Sequence, residues 1–305
     1  MKLGVNMVNF GPAATPEVLG QWVKIVQSLG YHHLMTSDHV TVTPDVAARF
    51  PAPFYEPLTT LGWLAGITED ITIGASVIIL PYRSPLEVAR AFANIDRLSG
   101  GRCILGVGVG WAQQEYAALN VPFEKRGRIA DEYLSVIRAH WTEERISFDG
   151  DYISFNDVDT GPAPAQHAGP PIWVGGGSDA AMRRAVRFGN AWHPFRITVG
   201  GLRDQALPKL RAIAEREGMR VPDVCPRIYL RITQTELANK DRVAGEGTIA
   251  QIRDDLAALA DMGCASVLLD TYTDEGSAAI DPAPAWDMLR VVAGDIYDLS
   301  AETVG

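Results

Sequence analysis

Cysteine is scarce in this chain of 305 residues: Cys103, Cys225 and Cys264 are far apart and odd in number. No CxxC pair and no Cys/His ligand spacing occurs, so neither a disulfide framework nor a metal site is expected. Reduced thiols in a cytoplasmic protein are the simplest reading. Basic residues are in deficit, with 27 Lys+Arg against 37 Asp+Glu and a formal net charge of -10. Such a chain repels phosphate backbones, which argues against nucleic-acid binding and leaves open a local basic pocket for one anionic ligand. No apolar run approaches the ~18 residues of a membrane span. The start, Met1 to Asn6, enters a strand pattern without the features of a signal peptide. The GxSxG elbow, the P-loop and the HExxH zinc motif are all missing.

What is present is ordinary globular composition, 47% apolar and 21% charged. Short apolar runs alternate with helical patterns. Strands are expected at Leu3 to Val8, His33 to Thr36, Ile71 to Val77, Arg102 to Val107, Pro171 to Val174, Ala191 to His193, Arg227 to Thr233 and Ala265 to Leu269. Helices fall between them: one opens at Thr15-Pro16, others cover about 57–68, 127–143, 201–217 and 284–297, and one begins near Ser178. Ser84-Pro85-Leu86-Glu87 and Thr248-Ile249-Ala250-Gln251 read as capping boxes. Residues 41–56 read as a long loop and 145–170 as an insertion with a hairpin around Asp149-Gly150. Alternating units imply a parallel sheet with helices outside it. The expectation is an α/β chain forming one (β/α)8 TIM barrel domain over 1–305, with a doubly wound sheet as the alternative.

In a barrel the chemistry lies at the carboxyl ends of the strands. Asp38-His39 follows the second strand, where a histidine can give or take a proton. The alternative is a turn-capping Asp38 and an ordinary loop residue. Gly106, Gly108 and Gly110 are spaced GxGxG, which permits close approach by a flat ligand or a tight turn. Gly175-Gly176-Gly177-Ser178 precedes a helix start, where backbone N–H groups and the helix dipole suit a phosphate; a flexible turn with an N-cap is the alternative. Phe50, Phe54, Tyr55, Trp111, Trp192 and Phe195 lie in loops or at strand ends and are expected to line an apolar cavity. His32, His140 and His167 lie elsewhere.

The assembled pattern resembles the bacterial luciferase-like superfamily of flavin and deazaflavin oxidoreductases. The resemblance rests on Leu34-Met35-Thr36-Ser37-Asp38-His39, Ile73-Gly74-Ala75-Ser76-Val77, Asp96-Arg97-Leu98-Ser99-Gly100-Gly101-Arg102 and Gly106-Val107-Gly108-Val109-Gly110-Trp111. Arg126-Gly127-Arg128, Asp131-Glu132-Tyr133 and Pro171-Ile172-Trp173-Val174-Gly175-Gly176-Gly177-Ser178 complete it. The wording is closest to the luciferase-like branch that uses coenzyme F420, a 5-deazaflavin. The resemblance implies a barrel with insertions, a homodimer, Asp38 and His39 beside the cofactor ring, and a non-prolyl cis peptide at Ser76-Val77 that backs it. It places the cofactor phosphate at Gly176 and Gly177, beside Ser178, with Gly108 and Gly110 near the ring. It also implies F420-dependent hydride transfer to a small organic substrate, with His39 as general acid. The alternative is an FMN-dependent two-component monooxygenase using O2 and a separate flavin reductase; a relative that has lost catalysis is a third.

One departure bears on the substrate. Deazaflavin-dependent sugar-phosphate dehydrogenases of this superfamily carry Glu after the fourth-strand glycines, and Trp111 stands there in this chain. Glu115 lies further along and is not assumed to replace it. Lysines after Lys125 are limited to Lys209 and Lys240, and a buried phosphate needs paired cations, a pair that Arg196 and Arg231 could supply. An uncharged or weakly charged, largely apolar substrate is expected, such as an enone, imine or aromatic metabolite.

Overall fold

A computed structural model of the chain describes residues 1–238, 242–273 and 277–305. Lys240 lies outside the described residues. Parallel strands run at Lys2–Met7, His33–Thr36, Thr72–Ala75, Cys103–Gly108, Ile172–Gly175, Ala191–His193 and Ser266–Asp270. Lys2–Met7 sits between His33–Thr36 and Ser266–Asp270, with Gly4 opposite both His33 and Leu268. The order then runs outward through Thr72–Ala75, Cys103–Gly108, Ile172–Gly175 and Ala191–His193. Residues 223–229 bond on both sides: Asp223 and Val224 pair with Ala191 and Trp192, while Arg227–Tyr229 pair with Leu268 to Asp270.

Successive strand residues alternate between two faces. Met35, Ile104, Trp173, Ala191, Cys225 and Leu268 come from strands that are not all neighbours, yet they form one buried cluster. That contact requires the sheet to curl around them. Residues of the other parity, among them Leu34, Leu105, Val174, Trp192 and Leu269, join the larger core formed with the helices.

The helices begin where their caps are. Thr15 accepts the Val18 N–H ahead of Pro16–Ser28, and Thr248 with Gln251 completes the expected capping box on Ile249–Asp261. The expected box at Ser84 does not form: its side chain caps nothing, and Pro85 with its fixed φ opens Pro85–Leu98 instead. The third strand is shorter than expected. It stops at Ala75, breaks at Ser76-Val77, where the peptide is cis, and resumes at Ile78–Ile79. The seventh ends at Tyr229, because Arg231–Ile232 pairs with Glu246–Gly247 outside the main sheet. The hairpin pairs Arg145–Asp149 with Ser154–Asp159. Its tip is held by the Glu132 carboxylate, which accepts the N–H groups of Asp151, Tyr152 and Ile153. Two short helices, Pro44–Ala47 and Gln113–Ala118, stand where only loop was expected. Among the described residues no helix is long and apolar enough to cross a membrane.

Candidate active site

The loop after the second strand is fixed before it carries any chemistry. Ser37 and Asn9 bond reciprocally, the Asn9 amide donating to Ser37 O at 3.0 Å and Ser37 N to Asn9 Oδ1 at 3.0 Å. Asp38 comes next, fully buried. Its carboxylate accepts both Arg83 terminal nitrogens at 2.7 and 2.9 Å and the Ile79 N–H at 2.8 Å. Burial pushes its carboxyl above the ordinary range, with the Arg83 guanidinium pulling the other way. Arg83 also donates to Glu56, whose other oxygen caps Pro57–Ile67. Asp38 was expected at the cofactor. In this structure its carboxylate bonds Arg83 and Ile79 and anchors the loop that carries His39.

His39 is oriented by a residue that sequence reasoning did not credit. Its Nδ1 lies 2.6 Å from Glu115 Oε2, and the two side chains are 5% and 0% exposed. The other Glu115 oxygen accepts the N–H groups of Val40 and Thr41 at 2.7 and 3.0 Å. Burial alone would raise the Glu115 carboxyl; the bonds from His39, Thr41 and Val40 outweigh it and hold it below the ordinary value. A carboxylate only accepts, so Nδ1 carries the donated proton. Among the described residues Nε2 makes no hydrogen bond, which leaves it to take or give a proton. Glu115 is positioned by Gln113–Ala118, whose Tyr116 donates to Val109 O at 2.6 Å and packs against Tyr82 and Phe123. A buried carboxylate that orients His39 thus comes from Glu115, four residues beyond Trp111. The available signal was an acid a few residues past the glycines.

Three of the expected pocket residues surround the His39 ring. Phe50 and Phe54 have centroids at 5.4 Å and Trp111 at 5.9 Å. Phe10 stacks on Phe54 at 5.0 Å, and Tyr272 closes on Phe10 at 4.7 Å. Trp111 is 37% exposed, with the Arg49 guanidinium 4.5 Å over its ring. Tyr55 is half-buried and uses its backbone to hold Asn9. Phe195 lies apart from His39, 42% exposed, edge-on to Tyr229 and beneath Arg227. Trp192 is a correction. It is 1% exposed and has the parity of the helix-facing residues, and its indole N–H props the Gly176 carbonyl at 2.8 Å. It belongs to the core and supports the glycine loop from behind.

The GxGxG glycines also have a different first task from the one expected. A Cβ at Gly106 would stand 1.9 Å from Ala75 O, and one at Gly108 2.5 Å from Val77 Cγ2. They admit the Ser76-Val77 turn of the third strand, where the expected cis peptide is found. Gly110 has φ 62° and packs under Ile79. Ser76 meets His193 and Arg227, neither of which was singled out as chemistry in the sequence.

Gly176 and Gly177 are exposed at the start of Asp179–Phe188. Gly176 has φ 112° and Gly177 faces open space. The Ser178 side chain is spent as N-cap on the Ala181 N–H at 3.2 Å. Asp179 pairs with Lys209 at 2.5 Å, so its charge is compensated beside the helix start. The exposed glycines and the amino end of a ten-residue helix fit an anionic phosphate. Arg184 is buried against Asp131 and the Gly127 carbonyl.

Residues 1–246 match the luciferase-like monooxygenase family. The chain is 32% identical over 237 residues to an F420-dependent glucose-6-phosphate dehydrogenase of Intrasporangium calvum, covering 73% of this chain and 66% of that protein. It is 32% identical over 167 residues to an FMNH2-dependent dimethylsulfone monooxygenase of Pseudomonas putida, covering 54% of this chain and 46% of that protein. It thus spans about half to two thirds of the length of these curated relatives. In fold it is similar to the coenzyme F420-dependent tetrahydromethanopterin reductase of Methanopyrus kandleri, with TM-score 0.77, 15% identity and coverage of 96% of this chain and 97% of that one. The chain belongs to the luciferase-like monooxygenase family.

Proposed function

We propose that the protein is an F420-dependent oxidoreductase acting on a small, largely apolar organic substrate, with His39 as its proton donor. The observation that carries the reading is the His39–Glu115 pair, which fixes one ring nitrogen and leaves the other unbonded. The carboxylate holds the ring in place through Nδ1, and the aromatic rings around it exclude water. Gly176 and Gly177 would hold the cofactor phosphate by their backbone N–H groups. A bound deazaflavin supplies the hydride chemistry. In this reading residues 1–305 form one (β/α)8 barrel, closed through residues 223–229, and the chain works as a cytoplasmic homodimer.

The apolar substrate is supported by the wall of Phe50, Phe54 and Trp111, where Arg49, a cation at that wall, lies over the Trp111 ring. Arg231 is paired with Glu246 at 3.0 Å and Arg196 lies over the Tyr229 ring.

A second reading, a two-component FMN monooxygenase with a separate reductase, is favoured by the relative from Pseudomonas putida. Titrating F420 and FMN while following ring fluorescence separates the two. Single turnover with the pre-reduced cofactor, against enones, imines, aromatics and sugar phosphates, tests the substrate class. Tight F420 binding and turnover of apolar acceptors are expected. Binding of FMN alone, or oxidation of a sugar phosphate with no reaction on apolar acceptors, contradicts the proposal.

A further inference from the structure

Four side chains, from four strands or their ends, meet beside the Ser76-Val77 turn. Ser76 follows Thr72–Ala75, His193 ends Ala191–His193, Arg227 opens Arg227–Tyr229 and Asp270 ends Ser266–Asp270. Arg227 is fixed first. Its Nε and Nη2 donate to Asp270 Oδ2 at 3.0 and 2.6 Å, while Asp270 Oδ1 accepts the Tyr272 N–H at 3.1 Å. The Phe195 ring covers the guanidinium at 4.9 Å. The remaining nitrogen, Nη1, donates to the Ser76 carbonyl at 2.6 Å and to the Ser76 hydroxyl at 3.2 Å.

The direction of each later bond then follows from donor chemistry. Arginine has no acceptor, so Ser76 Oγ accepts from it and keeps its own proton for His193 Nε2, 2.9 Å away. On the far side of the ring, His193 Nδ1 meets the Cys225 carbonyl, which can only accept. Nδ1 therefore bears the ring proton and Nε2 the lone pair. Burial holds His193 down at about 4, so one neutral tautomer serves near neutral pH. The chain runs one way, from Arg227 through Ser76 and His193 to Cys225.

The Ser76-Val77 turn is thus gripped from two sides. Val77 fills the space that Gly106, Gly108 and Gly175 leave empty, where a Cβ would stand 3.4, 2.5 and 3.2 Å from its methyl groups. Arg227 holds the carbonyl and hydroxyl of Ser76 from the other. We propose that Arg227, anchored on Asp270, is a positioning residue of this site that fixes the Ser76-Val77 turn through a directional hydrogen-bond chain ending on Cys225. Its consequence for the cofactor rests on the reading of Ser76 and Val77 as the wall of the cofactor site.

The test uses the full chain and the variants Arg227→Met, Arg227→Lys and Ser76→Ala. Proton–nitrogen correlation spectra of the His193 ring report the chain directly, with or without cofactor. Wild type is expected to show the Nδ1–H tautomer, and the ring resonances to move in Arg227→Met and Ser76→Ala. Affinity for F420 and FMN, with the induced circular dichroism of the bound ring, reports positioning. Arg227→Met is expected to weaken binding at least ~tenfold and alter the induced band, with Arg227→Lys recovering part of both. If Arg227→Met does not fold, Ser76→Ala, which deletes a single hydroxyl, is expected to alter the induced band. A wild-type His193 protonated at Nε2 overturns the proposal. So does wild-type affinity with an unchanged induced band in folded Arg227→Met, or an unchanged band in Ser76→Ala where that variant stands in. If wild type binds neither cofactor, the cofactor reading fails. The chain is then decided by the nitrogen spectra, and unmoved His193 resonances in both variants refute it.

Discussion

Replacing Glu115 by Gln keeps the shape of the side chain and removes its charge. The Oε1 position accepts two backbone N–H groups, from Val40 and Thr41, so the amide carbonyl must stay there. The amide NH2 is then forced toward His39 Nδ1, which can meet it only by giving up its proton. The ring switches to the Nε2–H tautomer, and the charged partner of Nδ1 is lost. The lost bond is a short, charge-assisted one between buried side chains. A hydrogen bond to a charged group contributes ~1.5–3 kcal/mol, which is ~10-fold to 150-fold in rate. The wrong tautomer adds to that loss, so turnover should fall by about 10²–10³. The assay is single turnover with pre-reduced cofactor on a variant whose circular dichroism and cofactor affinity match wild type. Nitrogen spectra of the His39 ring should show the tautomer switch. Turnover within twofold of wild type, in a variant that has switched tautomer, would refute the reasoning.

Two further outcomes are expected. Gly176→Val puts a β-branched side chain at φ 112° with its Cβ 3.0 Å from Ala181, and should weaken cofactor binding at least ~tenfold; unchanged affinity in a folded variant counts against the phosphate site. Burial holds His33 down at about 3 and His193 at about 4, against an ordinary 6.5. Between those values the unfolded chain binds protons that the folded chain refuses. Stability is therefore full above pH 6.5 and declines below it, by about 1.4 kcal/mol per pH unit for each histidine. Urea midpoints at pH 7 and pH 5 measure this, and His193→Asn should reduce the difference; equal midpoints in wild type would contradict it.

Local signals carried much of the fold. His33–Thr36 and Ala191–His193 stand where the sequence places them, and the Thr248 box and the hairpin around Gly150 form as read. Each of these depends on residues within a few positions of one another. What was illegible depends on distant partners. Glu115 and His39 are 76 residues apart, and the helix that joins them has only six residues, too short for a periodic pattern. A three-residue strand gives no alternation from which to assign faces, so Trp192 was placed in the pocket when its side chain faces the helices. The glycines after the fourth strand suggested a ligand because their neighbour, Val77, lies about thirty residues earlier in the chain. The Arg227–Asp270 pair spans 43 residues and follows from the curl of the sheet, which no local motif specifies.

The central claim is that His39 gives the proton. It is tested most directly by single turnover of His39→Ala with pre-reduced F420, with cofactor affinity measured on the same preparation. A drop of about 10²–10⁴ in turnover, with affinity nearly unchanged, is predicted. Turnover near wild type together with a collapse of binding would make His39 a ligand contact and place the proton donor elsewhere.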